Sequence, residues 1–114
     1  MTGLSIVTLD VTSTTGYDLG MILGYRDART ERFARGERVK QFEPFRHQAE
    51  NRLVRLEIAT SLGELAALRG NRLEKLSGDR KGQWSMRIND QWRICFKWAE
   101  GAPGPSDVEI VDYH

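Results

Sequence analysis

Cysteine appears once, at Cys95, which excludes an internal disulfide framework and argues against a zinc site. Cys95 stands in an apolar, strand-length run, where a free thiol packs like a small hydrophobe. No apolar run approaches the roughly 18–20 residues that span a bilayer. Residues 1–20 hold no lysine or arginine, so the basic start of a secretory signal is missing. A cytoplasmic home with no membrane partner is therefore expected. Histidine is scarce, with only His47 and His114. The carboxylate cluster of a two-metal site is also lacking, so no metal or other cofactor is expected.

What is present suits one soluble domain. The 114 residues are 39% hydrophobic and 29% charged, enough for one modest core without a second binding module. Net charge is only +1, but it is unevenly spread. Residues 69–98 carry eight basic side chains (Arg69, Arg72, Lys75, Arg80, Lys81, Arg87, Arg93, Lys97) against three acids (Glu74, Asp79, Asp90). A local basic stripe in a near-neutral chain points to an anionic partner, although a solvated charged face has the same composition.

Residues 1–20 are rich in threonine, serine and glycine and read as an N-terminal extension, with the functional domain expected over residues 21–114. The run opening at Met21 looks like a strand leading into a helix. A short helix fits from Asp27 or Thr30 to about Arg35, stopped at Gly36. A second is expected from near Pro44, since proline suits a first helical turn. Along it, Ala49, Leu53, Leu56 and Ala59 recur on one face, while His47, Glu50, Arg52, Arg55 and Glu57 lie on the polar side. Thr60-Ser61 followed by Glu64 reads as a cap for one further short turn.

The second half is β-rich. Arg72–Ser77, Gln83–Ile88, Trp92–Trp98 and Asp107–Tyr113 are strand-length runs broken by turn residues. Two N-terminal helices packed on a small, mostly antiparallel sheet give an α+β fold. Parity then selects a register. A three-residue loop, Asn89-Asp90-Gln91, pairs Ile88 with Trp92, Met86 with Ile94 and Trp84 with Phe96, whereas a two-residue turn would scramble the faces. The same register sets Arg87 opposite Arg93, an unfavourable like-charge pair. A bound phosphate would offset the repulsion; so would nearby acids, or water reached by both side chains.

The last run ends in Asp112-Tyr113-His114. Tyr113 shares the parity of Glu109 and Val111, which places it on the arginine-bearing face, while Val108 and Ile110 point to the core. A terminal histidine is often a frayed tail, but this one follows an apolar strand directly. Two arginines, a phenol, an imidazole and Glu74 suffice for cleavage of RNA by its own 2′-hydroxyl. That reaction needs a base for the 2′ proton, an acid for the leaving 5′ oxygen and fixed positive charge for the phosphorane. Glu74, Asp112 and His114 are all candidates for the base; histidine titrates in the useful range.

The stretch GNRLEKLSGDRKGQWSMRINDQWRICFKW, followed by DVEIVDYH, strongly resembles the HigB toxins of the RelE/ParE superfamily. The likeness is dense over residues 70–114, softer from Met21 onward, and does not reach residues 1–20. It implies the RelE-like fold and a ribosome-dependent endoribonuclease that cuts mRNA in the A site of the 70S ribosome, without a metal. It also implies neutralisation by a HigA-like helix-turn-helix antitoxin. Position by position, Arg93 matches the phosphate-stabilising arginine and Arg87 a second active-site arginine. Asp112, Tyr113 and His114 match the terminal catalytic residues, and Glu74 stands where relatives carry a base-like His or Glu.

The chain departs from the family in two places. Where relatives read LKGD, this chain reads Leu76-Ser77-Gly78-Asp79, so phosphate binding falls to Lys75, Arg80 or Lys81. Gln91 replaces the asparagine of some members and joins the expected RNA-binding set. A non-catalytic or weakly active module of the same fold, or a ParE-like inhibitor of DNA gyrase, is the competing reading. Ser77 keeps the former in play, whereas Arg87, Arg93, Tyr113 and His114 together favour the nuclease.

Overall fold

The computed structural model describes residues 21–112, so the extension at residues 1–20 and the terminal Tyr113-His114 lie outside it. Three helices, α1 (Ala28–Ala34), α2 (Arg46–Ile58) and α3 (Leu62–Ala67), precede four strands: β1 (Glu74–Lys75), β2 (Trp84–Arg87), β3 (Trp92–Lys97) and β4 (Ser106–Asp112). The strands form an antiparallel meander in the order β1-β2-β3-β4. The α+β class agrees with the sequence reading, but among the described residues the α-helices number three. The turn expected after Thr60-Ser61 grows into the six-residue α3.

Why the helices sit where they do follows from local chemistry. α1 ends where Gly36 takes a positive φ of 94°, a conformation glycine adopts without a Cβ penalty. Pro44 does not open α2, as the sequence suggested, but lies within a 3-10 helical turn over Lys40–Phe45 that feeds into it. Ala49, Leu53, Leu56 and Ala59 are all buried, as their spacing predicts. At α3, the Ser61 hydroxyl accepts from the Glu64 amide at 3.2 Å. Glu64 reaches back to the Thr60 amide at 2.7 Å and its hydroxyl at 2.9 Å.

Those hydrogen bonds, the amide's first, hold the Glu64 carboxyl below its ordinary value. A depressed folded-state value contributes stability that is present above the unfolded value and lost as pH falls. We therefore expect Glu64→Gln to be less stable than the intact chain above about pH 4.5, with the deficit shrinking as pH falls below that value and the acid limb flattened accordingly. Urea melts from pH 3 to 7 would detect it; curves that stay parallel across that range contradict the assignment.

The core lies between the helices and one face of the sheet. Met86, Ile88, Ile94, Phe96, Val108 and Ile110 meet Phe33, Phe42, Phe45, Leu53, Leu56 and Leu65 there. The pairings Trp84↔Phe96, Met86↔Ile94 and Arg87↔Arg93 are those the hydrophobic parity selects. Ile88 donates to the Trp92 carbonyl at 2.9 Å to close the three-residue loop. Trp92 seats the hairpin on the helical layer, with ring centroids 4.9 Å from Phe45 and 5.7 Å from Phe42.

The outer edge of β4 is covered. The segment from Leu23 to Arg26 runs beside it through a single parallel bridge, Tyr25↔Val108, rather than the full strand the sequence suggested. The Ile110 amide donates to the Thr30 hydroxyl at 3.0 Å. Gly104 is required here, because a Cβ at that position would stand 1.7 Å from the Met21 carbonyl oxygen. Covering an edge in this way removes a template for unwanted strand pairing. Among the described residues, no helix is long and apolar enough to cross a membrane.

Candidate active site

Paired residues of an antiparallel ladder project to the same side, so the register sorts the chemistry by face. Glu74↔Ser85 and Arg87↔Arg93 put these four residues on the face away from the helices. Val111 pairs with Arg93 and joins them, packing with Cys95 and Leu76 in a small second cluster. Burial pushes the Cys95 thiol above its ordinary value, which fits a packing role rather than a reactive one.

Arg93 is the most firmly held cation on this face. Its Nε donates to Ser85 Oγ at 2.8 Å, and its Nη2 donates to the Arg72 carbonyl at 2.7 Å. Glu74 lies 3.8 Å away, and the arginine side chain is only 13% exposed against 59% for the carboxylate. The two hydrogen bonds set the plane of the guanidinium. Charged bonds of this kind contribute about 1.5–3 kcal/mol each, more than the ion pair with a half-open carboxylate.

Arg87 is held differently. Its guanidinium pairs with Asp90 in the adjoining loop, and its carbonyl accepts from Arg52 Nε of α2 at 2.8 Å. Burial, then the nearby Arg55 and Arg87, pulls the Arg52 guanidinium below its ordinary value. The like-charge pairing across the hairpin is thus offset within the protein, by Asp90 on one side and Glu74 and Ser85 on the other. Of the explanations open from sequence, nearby acids are the one realised, and a bound phosphate is not required to hold the hairpin together.

The remaining residues of the expected set scatter. Asp112 pairs with Trp92, on the side opposite Arg93, and accepts from Gln91 Nε2 at 2.8 Å. Lys75 shares the face of Trp84, its ammonium 5.9 Å from the indole centroid. Arg80 turns to Gln83 at 3.0 Å and Glu109 at 3.3 Å, and Glu109 is shared with Arg26 at 3.7 Å. Lys81 and Ser77 are exposed. Of the three cations expected to replace the family lysine, Lys75 lies on the wrong face and Arg80 is committed to an acid. His47 is a surface residue, 87% exposed, and Tyr113 and His114 lie outside the described residues.

Three residues that matter here were not singled out from sequence. Ser85 is wholly buried, and its parity with Arg87 was the available signal. Arg52 ties α2 to the hairpin, but its place on a polar helix face suggested only solvent. Arg72 contributes a backbone carbonyl, for which no side-chain pattern exists. Among the described residues, no group of three or more His, Cys, Asp or Glu side chains stands together to hold a metal ion. The arrangement supplies a fixed cation beside a carboxylate at an open sheet face, suited to an anion that gains charge as it reacts.

Comparison with known proteins agrees with this chemistry. A family model described as the RelE-like toxin of type II toxin-antitoxin system HigB matches residues 24–114. Toxin HigB-1 of Vibrio cholerae serotype O1 is 34% identical over 85 residues, covering 71% of this chain and 87% of that protein. Endoribonuclease HigB of Proteus vulgaris is 38% identical over 63 residues, covering 55% of this chain and 62% of that protein. The chain belongs to the HigB family of RelE-like toxins of type II toxin-antitoxin systems.

Proposed function

We propose that the protein is the toxin of its antitoxin pair and acts as an endoribonuclease that cuts mRNA in the ribosomal A site, halting translation. The observation that carries the reading is the fixed pose of Arg93, bonded to Ser85 and the Arg72 carbonyl with Glu74 beside it. The name of the Proteus vulgaris relative, an endoribonuclease, supports the same class of reaction.

In the mechanism that fits, the 2′-hydroxyl of one nucleotide attacks the adjoining phosphorus. A base removes the 2′ proton, the P–O5′ bond breaks, and an acid protonates the departing 5′ oxygen, leaving a cyclic phosphate. Glu74 is the base candidate on the arginine face, whereas Asp112 is turned towards Gln91. His114 is assigned the acid role and Tyr113 the orientation of a base or phosphate by stacking or hydrogen bonding. Arg93, with Arg87 beside it, neutralises the phosphorane. Side chains alone supply these functions, so no metal enters the scheme.

The ribosome supplies substrate orientation that so small a site does not provide. Neutralisation by a HigA-like helix-turn-helix antitoxin and a cytoplasmic place of action complete the reading. With Lys75 and Arg80 directed elsewhere, the phosphate work falls to Arg93 and Arg87 with the exposed Lys81, and a mild toxin is expected.

Brief induction of the intact chain in bacteria should slow growth and yield new mRNA 5′ ends within translated codons. Growth arrest with intact mRNA would instead support gyrase inhibition or passive ribosome occupancy, and would overturn the nuclease reading.

A further inference from the structure

Arg93's pose depends on a carbonyl that ordinary backbone would not aim at it. Arg72 adopts φ 45° and ψ 56°, the left-handed region that a non-glycine residue seldom adopts because its Cβ crowds the backbone. Such strain persists only where the surroundings over-determine it. Here they do. The preceding residue, Asn71, is wholly buried. Its Nδ2 donates to the Leu65 carbonyl at 2.9 Å, and its Oδ1 accepts from Arg55 Nη1 at 2.6 Å. The Asn71 and Arg72 amides close on Leu68 and Arg69 at 3.0 and 3.1 Å.

One helix face therefore reaches both halves of the site. Arg52 and Arg55, three residues apart on α2, bond to the end of β2 and to Asn71 respectively. Through Asn71 the turn before β1 is clamped, and through the Arg72 carbonyl the clamp reaches Arg93 Nη2.

We propose that Asn71 and the left-handed Arg72 peptide are positioning elements for Arg93, with Arg55 bracing them, so that the guanidinium is aimed at the phosphorane before substrate arrives. The proposal rests on the nuclease reading above. It separates from mere fold maintenance, because the clamp should act on turnover through Arg93 alone.

The test is single-codon mRNA cleavage by the intact chain on programmed ribosomes, with chemical denaturation of each variant alongside. Arg72→Gly and Arg72→Val both remove the guanidinium of residue 72, so charge loss is common to them and only tolerance of positive φ differs. The valine variant should show a kcat about 10- to 100-fold below the glycine variant, a loss of the size that small misplacements cause. KM should agree within about twofold. Asn71→Ala should lower kcat similarly in the intact chain but by less than about twofold in an Arg93→Ala background, the signature of coupled residues. Arg55→Met, which removes one brace on the helix surface, should show the same background dependence if Asn71→Ala fails to fold.

Equal rates for the glycine and valine variants, or equal losses with and without Arg93, overturn the positioning role while leaving the nuclease reading intact. An intact chain that cuts no mRNA on the ribosome removes both.

Discussion

Arg93→Ala lowers ribosome-dependent mRNA cleavage by about 100- to 1,000-fold, the loss that follows removal of one preorganised donor to a developing oxyanion. The figure rests on geometry as well as charge. The guanidinium is anchored at Ser85 and at the Arg72 carbonyl, so its donors meet the phosphorane without reorganising. Removing it leaves Ser85 Oγ buried without this partner, at a cost of roughly 1–3 kcal/mol. That is a fraction of the roughly 5–15 kcal/mol of a typical domain, so the variant stays folded and its loss of toxicity is catalytic. Lysine is a poor substitute, because an ammonium lacks the planar fork that holds both anchors. Cleavage by Arg93→Ala within threefold of the intact chain would remove Arg93 from the mechanism.

His114→Ala comes next, with an expected loss of about 100- to 10,000-fold, the range for a general acid or base. The role follows from sequence position and the HigB likeness. Among the described residues β4 runs through Asp112, and its Val111, three residues before His114, pairs with Arg93. A tag fused after His114 should therefore impair cleavage far more than one fused before Met1. The two assignments differ in pH response. Loss of an acid imidazole should flatten the rate profile around its ordinary range near pH 6.5, whereas Arg93→Ala should lower the profile without changing its shape. A His114→Ala variant with the intact chain's rate and profile would return the tail to the status of a frayed end.

Legibility in the sequence tracked burial. The β2–β3 register could be read because one sheet face is buried, and a one-residue slip would have exposed Met86, Ile94 and Phe96 together. Burial on one side made α2's inner face readable for the same reason. The cap at Ser61 and Glu64 was local and therefore visible. Other features depend on distant partners. Arg80 is neutralised by Glu109, 29 residues away, and composition counted it simply as part of a basic stripe. Lys75 looked interchangeable with its neighbours until pairing with Trp84 put it on the opposite face. Asp112, grouped by sequence with Arg93 in the active site, falls on the opposite side of the sheet from it, since adjacent residues alternate.

Backbone conformation was the least legible part. β1 shrinks from the expected Arg72–Ser77 to Glu74–Lys75, in part because Arg72 is left-handed, and nothing in the side chain of an arginine announces that. Pro44 suggested a helix start and instead sits in a 3-10 turn, a distinction carried by the packing of Phe42 and Phe45 rather than by proline itself. The candidate site follows the same division. Arg93 and Arg87 were evident on one face and Glu74 as a residue on the strand leading in, but Glu74's place on that face, the buried serine and the strained carbonyl that aim Arg93 emerge only in three dimensions.

On the proposed function, this small, nearly neutral chain is a nuclease whose substrate the ribosome presents. One measurement addresses it directly: cleavage of the same mRNA by the purified chain, with and without 70S ribosomes carrying it in the A site. Cleavage within the A-site codon, at least about 100-fold faster with ribosomes than without, is the predicted result. Equal cleavage of free and ribosome-bound RNA, or none on the ribosome, would contradict it.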